Sequence, residues 1–364
     1  MSGWSVADIL DPRFMDEAYQ EVTPVGAAPS PMLQFFGANP KSVFGDTIEV
    51  TIIPAERTPA PTNSPGHVAR PLQTKGVRKR YYTPIHAFNK ISIPQQAMLY
   101  LEMVDRPDVQ NLGREELNRQ MEYFKLRHSI LREVALSKAL FGGVIYRDTD
   151  GNVSETDQGG PTIDLGVSSS HKTTLGGIIG TAWDNAAAPI LTDLDDIKLQ
   201  SQVEGKPEPK HIWCNSVVKR WLRDNTEAKA YFQNAGLTPT NVDKILQGDV
   251  FPDLGGFMWH FYDATYVDSG GTSRYLCPQT MVTITPEVGP WFRAFNGSFR
   301  IPNTEGVLSG DTADAAASNG RVVYGDYLYL RERDDPATLM MYGGTTFLYA
   351  FSDPDAIWMP TVDF

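Results

Sequence analysis

The stretch NLGREELNRQMEYFKLRHSILREVALSKALFGG, residues 111–143, carries the strongest periodicity in the chain. Leu117, Met121, Phe124, His128, Leu131, Ala135 and Ala139 recur at intervals of three or four, the spacing of one helical face. Asn111 or Asp108 can cap its start, and Gly142-Gly143 can end it. The spacing predicts a helix over about 112–141, roughly 45 Å long at about 1.5 Å per residue. That is long for a compact domain. His128 falls on the apolar stripe with no metal-ligating partners near it, and reads as a core histidine.

Upstream, Thr47–Ile53 alternates like a strand, and the run from Gly76 to Pro94 is again rich in β-formers. Between them lie Pro54, Pro59, Pro61, Pro65 and Pro71, so the two runs read as a long hairpin with a proline-rich tip. It holds too few apolar residues for a core of its own. Residues 54–90 carry seven bases, Arg57, Arg70, Lys75, Arg78, Lys79, Arg80 and Lys90, against the single acid Glu56. The segment is therefore +6 in a chain of −12, which leaves −18 elsewhere. Three readings follow: contact with an acidic neighbouring subunit, which the sign asymmetry favours; nucleic-acid contact, since Arg78-Lys79-Arg80-Tyr81-Tyr82 joins cations to stackable rings; or a solvated basic strand. Residues 1–45, interrupted by Pro12, Pro24, Pro29, Pro31 and Pro40, read as an extended arm. Its apolar residues Phe14, Met32, Leu33, Phe35 and Phe36 need a surface to cover, either on a neighbour or on the same chain.

Downstream, Asp150-Gly151 between two β-rich runs, Val144–Thr149 and Asn152–Thr156, predicts a tight hairpin. Asp148, Asp150 and Asn152 alternate as in a calcium loop, but the glycine is misplaced and no closing glutamate follows. Residues 157–190 are rich in Gly, Ser and Thr and read as a loop. Leu194, Ile197, Leu199 and Val203 predict a helix and Lys210–Cys214 a buried strand. Asn215-Ser216 caps a helix over Val217–Arg223, and shorter helices are expected around Ala228–Phe232 and Asn241–Leu246. Strands are expected at Phe257–Phe261, Tyr262–Val267 and Tyr275–Thr285, which makes this lobe α+β. Residues 303–320 are small and polar and read as a surface insertion. Strands at Val322–Arg331, Thr338–Tyr342 and Thr345–Phe351 follow, with Asp334-Asp335-Pro336 as a turn. From 334 onward there are five acids and no base, so Asp353 and Asp355 become acidic counterparts for the basic hairpin.

At 364 residues and 41% hydrophobic, the chain can bury one large core or two moderate ones. Its acidic balance of 32 bases to 44 acids argues against one broad nucleic-acid-gripping face. Cys214 and Cys277 stand 63 positions apart and draw no disulfide framework or zinc spacing. That cysteine usage fits a reduced, intracellular site of synthesis, and the first residues lack the basic start and apolar run of a secretory signal, so no export is expected. The apolar stretches are too short to cross a bilayer. No nucleophile elbow, phosphate-binding glycine loop or His-Glu-x-x-His helix is present, and the six histidines are scattered. Neither a catalytic role nor a cofactor or metal site is expected.

The order of parts, and several short strings, resemble the lambda-type major capsid protein family of tailed bacteriophages. The strings are Tyr262, then Tyr266-Val267, a glycine turn, Leu276, Pro278 and Thr280-Met281-Val282; and Asp335-Pro336-Ala337 with Asp353-Pro354-Asp355 near the end. Phe35-Phe36 and Ala139-Leu140 agree more loosely. The resemblance implies the α+β Hong Kong 97-type capsid fold. It assigns 1–45 to an N-terminal arm, 46–93 to an extended loop overlapping a neighbour, and 94–185 to a peripheral domain with the spine helix. It further assigns 186–285 to an axial domain, 286–344 to strands returning to the peripheral domain, and 345–364 to a strand returning to the axial one. The insertion at 303–320 departs from the family pattern. The implied function is a structural subunit of an icosahedral head, self-assembling as pentamers and hexamers around double-stranded DNA, resident in the virion and made in the bacterial cytoplasm. Scaffolding, portal and decoration proteins are the implied further partners. An encapsulin-like compartment and a soluble acidic binding protein of unrelated α+β fold are the rival readings.

Overall fold

The structure is a computed structural model that describes residues 12–22, 30–52, 78–93, 96, 99–100, 107–172, 177–234, 253–268, 270–301, 321–334 and 337–363. In chain order, two short helices, α1 (Pro12–Glu21) and α2 (Pro31–Phe36), precede strands β1 (Lys41–Val43), β2 (Ile48–Ile52), β3 (Arg78–Tyr82) and β4 (Ile85–Ile93). The spine helix α3 (Pro107–Gly142) leads into β5 (Val144–Arg147), β6 (Val153–Ser154) and β7 (Ile163–Asp164). A mixed stretch holds α4 (Ile190–Val203), β8 (His211–Cys214), α5 (Ser216–Asp224), α6 (Thr226–Asn234), β9 (Met258–Phe261), β10 (Thr265–Val267), β11 (Ser273–Tyr275) and β12 (Thr283–Thr285). Strands β13 (Phe292–Ile301), β14 (Arg321–Tyr324), β15 (Asp326–Asp334) and β16 (Ala337–Phe351) follow. The chain divides into two compact units, one of Met1–Ile48, Tyr82–Glu133 and Ala294–Tyr349, the other of Glu49–Tyr81, Val134–Arg293 and Ala350–Phe364.

The first unit is a six-stranded sheet with helices on one face. β16 is its axis, antiparallel to β15 from Asp326↔Thr345 to Asp334↔Ala337 and to β4 from Phe347↔Ile85 to Leu339↔Ile93. β13 joins β16, accepts β1 in parallel and pairs with β14. The predicted stripe of α3 supplies Leu117, Met121 and Phe124 to a buried cluster with Ile93, Leu328, Leu330 and Met341. The sequence suggested two strands either side of Gly343-Gly344; the structure has one strand of 15 residues running through both. The reason is close approach: a Cβ on Gly343 would stand 2.8 Å from the Phe124 ring, and one on Gly344 would collide with the Tyr327 ring. The described residues of the 1–45 arm are not wholly extended as expected. Pro12 and Pro31 each open a short helix, a position that suits proline because its missing N–H is not needed there. Met15 and Tyr19 of α1 enter the α3 cluster, and Met32 and Phe36 of α2 are buried.

The spine helix runs 36 residues and begins at Pro107, so Asp108 lies inside its first turn and neither Asp108 nor Asn111 precedes it as a cap. Gly143, at φ 64°, stops it as expected. His128 is a core histidine, 1% exposed, with Nδ1 3.1 Å from the Tyr19 hydroxyl. Burial lowers it to about 4.

In the second unit, β8 is buried at every residue between β12 and parallel β9. Asn215 caps α5 by accepting from the Val217 N–H at 3.0 Å, as its position predicts. Around them Trp183, Leu194, Ile197, Ile212, Trp259 and Trp358 share one core. The segment after β16 returns to this unit: Ile284 and Trp358 exchange backbone hydrogen bonds of 2.8 and 2.9 Å, and the Trp183 N–H donates to the Val362 carbonyl at 2.8 Å. The run expected as one strand over 275–285 is two, β11 and β12, because Pro278 between them lacks the N–H a ladder needs. At 148–152 the Asp148 carboxylate accepts the Asp150 and Asn152 N–H groups, at 2.9 and 2.8 Å, and closes a turn. The helix expected at 241–246, the insertion 303–320 and the proline-rich hairpin tip lie outside the described residues.

Asp193, 4% exposed, accepts from the Trp183 indole N–H at 3.0 Å. Burial, with smaller contributions from Glu227 and Asp196, raises its carboxyl to about 6 from 3.8. A raised acid makes its contribution at low pH and loses it as pH climbs through about 6, because only the unfolded chain then ionises freely. Asp193→Asn keeps an acceptor for Trp183 and removes that cost. The variant should be about 1–3 kcal/mol more stable than wild type at pH 7.5 and equal to it at pH 4, measured by denaturant unfolding at both.

Candidate functional site

The basic hairpin forms where the alternation placed it, with β2 and β3 as a separate two-stranded sheet. Ile48, Val50 and Ile52 are buried while Glu49 and Thr51 face outward. The run from 78 to 93 is two strands: β3 belongs to the hairpin, whereas β4 is a strand of the large sheet. On the exposed side Lys79 Nζ bonds Glu49 at 2.7 Å. That bond holds the Glu49 carboxyl below the usual range and the Lys79 ammonium above it. Arg78 is exposed, and Tyr81 is 63% exposed beside it. Arg80 points elsewhere: its guanidinium lies on the backbone of Gly166, where a Cβ would collide with it. Gly166 has φ 78° and its N–H donates to Asp164 Oδ1 at 2.8 Å, so the loop after β7 forms a flat seat for the arginine.

Of the other residues singled out from sequence, Arg57, Arg70 and Lys75 lie outside the described residues. Asp353 and Asp355 are not open acids. Lys206 Nζ stands 2.6 Å from Asp353 and 3.7 Å from Asp355, and Asp355 also accepts the Ser168 N–H at 3.3 Å. Sequence separation of about 150 residues hid that pairing.

The sequence reading missed an aromatic face on the large sheet. His86 and Phe88 of β4, Phe299 of β13, Tyr327 and Tyr329 of β15 and Tyr342 of β16 stack in near-parallel pairs. Phe299 and Tyr327 are 4.2 Å apart at 6°, and Tyr329 and Tyr342 are 5.2 Å apart at 11°. Phe88, 5.7 Å from Tyr342, remains 45% exposed. The signal was there in the i, i+2 spacing of His86 with Phe88 and of Tyr327 with Tyr329, which puts each pair on one sheet face. This face is opposite the one that α3 covers. Among the described residues, no group of three or more His, Cys, Asp and Glu could hold a metal ion, and no helix is long and apolar enough to cross a membrane.

Residues 20–358 match the family described as phage major capsid protein E. The chain belongs to that family. As a major capsid protein it is a structural subunit of a phage head, and its α+β architecture is the Hong Kong 97-type capsid fold that the resemblance implied. A phage-related protein from Bordetella bronchiseptica RB50 is similar in structure at TM-score 0.51 and 9% identity, over 97% of each chain. A putative prophage capsid protein from E. coli CFT073 is similar at TM-score 0.48 and 16% identity, over 79% of each chain. The satellite phage P4 procapsid that includes size determination (Sid) protein is similar at TM-score 0.46 and 12% identity, over 97% of each chain. No curated protein is detectably similar in sequence.

The Arg80 seat makes a prediction for this capsid protein. Gly166→Ala adds both positive-φ strain and a clash with the guanidinium, and should cost about 1–3 kcal/mol in thermal or denaturant unfolding. Combining it with Arg80→Ala should recover part of that loss, because the clash is removed and only the strain remains.

Proposed function

We propose that this chain builds an icosahedral phage head from many copies of itself, as pentamers and hexamers around double-stranded DNA, and catalyses nothing. The observation that carries the proposal is the family match over residues 20–358. Its place is then the virion, after synthesis in the host cytoplasm. In the family's terms, the unit with the large sheet corresponds to the peripheral domain, and the α4–β12 lobe to the axial domain. Scaffolding, portal and decoration proteins are proposed further partners, with 303–320 as the surface for the last of these. Weak repeated contacts suit such a shell, because errors can be released before the particle closes.

The grip between copies is proposed to come from the hairpin. Its +6 charge meets a body of −18, and Arg78 with its neighbours Arg57, Arg70 and Lys75 supplies cations for a neighbour's acids. Asp353 and Asp355, held by Lys206, serve that role less well than the exposed acids Asp195 and Asp196. Charge steering of this kind sets association rate and register more than affinity, and weakens with salt.

Negative-stain electron microscopy with size-exclusion light scattering tests the assembly. The purified chain should yield closed shells or capsomers, and a strict monomer with scaffold supplied would refute it. Nucleic acid inside particles recovered from cells separates a head from a protein compartment. Reversing Arg78, Arg57, Arg70 and Lys75 to Glu should abolish shells, while Arg78→Glu alone should melt within about 1 kcal/mol of wild type, since an exposed charge contributes little to folding. An unchanged shell yield would reject the hairpin's role.

A further inference from the structure

Strand β9 stands at the edge of the three-stranded sheet β12–β8–β9, and its described partner is β8 alone. Along that seam Trp213 faces His260 and His211 faces Met258. The side chains add a second link: His211 Nδ1 and His260 Nε2 are 3.0 Å apart, with rings 5.2 Å apart at 29°. The Trp213 ring stacks on His260 at 4.3 Å and 13° and fixes its plane. Such a bond places one proton between the facing nitrogens, and a single added charge can be accommodated by a change of tautomer. When both rings are charged, two N–H groups and two cations stand head to head, and the bond is lost.

We propose that the His211–His260 pair is an acid-sensitive fastener, and that protonation of both imidazoles parts β9 from β8. The charged groups nearest the pair oppose each other: Lys210 disfavours a cation at His211 and Glu287 favours one, while the β12 residues in register with His211 and Trp213 are the uncharged Thr285 and Thr283. Lys210 and Glu287 are 4.0 Å apart and exposed, so they largely cancel. Burial sets the balance: it lowers His211, and it lowers His260 to about 4, with His211 itself as the second cause. Both folded values lie below the ordinary 6.5, so the contribution is complete above about 6.5 and fades as pH falls towards 4. Parting the seam frees Met258–Phe261 and withdraws Trp259 from the core it shares with Trp183 and Ile212. The loss is therefore local to an edge strand before it becomes global.

Amide hydrogen exchange on the full chain tests this, read on peptides spanning 257–262 at pH 7.5 and 4.5 and corrected for the intrinsic rate. Wild type should lose roughly tenfold or more of its protection there at pH 4.5. His260→Gln keeps an acceptor for His211 without a charge to gain, and should hold its protection within about threefold. His128→Gln removes a different buried histidine and should open at 257–262 as wild type does. Acid opening in His260→Gln equal to wild type, or none in wild type, would overturn the proposal. Should His260→Gln fail to fold, imidazole NMR of wild type decides: a coupled titration below the ordinary range supports the fastener, and two independent transitions near 6.5 refute it.

Discussion

Two aromatic rings press on opposite faces of one strand, and the large sheet depends on there being nothing in their way. Phe124 of the spine helix meets β16 at Gly343, and Tyr327 of β15 lies across the next residue, Gly344. Glycine weakens a strand interior through backbone entropy, by about 0.5–1 kcal/mol each relative to alanine. Here that loss is offset by packing on both faces. The helix comes close enough to bury Leu117, Met121 and Phe124 against Leu328 and Met341. On the other face the Tyr327 ring tilts over the strand to stack on Phe299. A side chain at either position would lift one layer off the sheet.

Beyond that contact, buried polar pairs bind distant segments into each unit. Arg132 donates to Asp326 at 2.7 Å and to Thr345 at 3.1 Å, with its guanidinium 5.2 Å from the centre of the Phe347 ring. It thereby joins the spine helix to β15 and β16. Ser30 donates to Glu133 while also capping α2 through the Leu33 N–H. In the other unit, His171 stacks on Trp358 at 3.8 Å and hydrogen-bonds both Glu204 and the Ile357 carbonyl, so the returning segment is held by ring contact and backbone together. These partners are polar and largely buried, so losing either member leaves the other unsatisfied, which costs more than the bond contributes.

Local periodicity carried what was legible in the sequence. The α3 stripe, the Asp150-Gly151 turn, the Asn215 cap and the buried strand at 211–214 each express their geometry within a few residues. What escaped needed tertiary partners. Gly343-Gly344 has the local signature of a break, and only the rings of Phe124 and Tyr327 make it continuous. The acids at 353 and 355 looked available because Lys206 is remote in sequence, and the arm looked extended because proline was weighed as a breaker, not as a helix opener. For the basic hairpin, charge counting found the element but not the separate tasks of its cations: Lys79 bonds within the hairpin, Arg80 sits on Gly166, and Arg78 faces solvent.

The pairing of β4 with β16 also sets a timetable. Ile93 and Ala337 are 244 positions apart (337 − 93), yet among the described residues β4 forms its ladder with β16 alone. Chains are synthesised at about 5–20 residues per second, so β4 waits roughly 12–50 s on the ribosome with its backbone groups and the Phe88 ring unclaimed. Strands held open that long are sites of wrong association in a crowded cell. The longer the interval between synthesis of β4 and of β16, the longer this edge offers its backbone groups to a wrong partner.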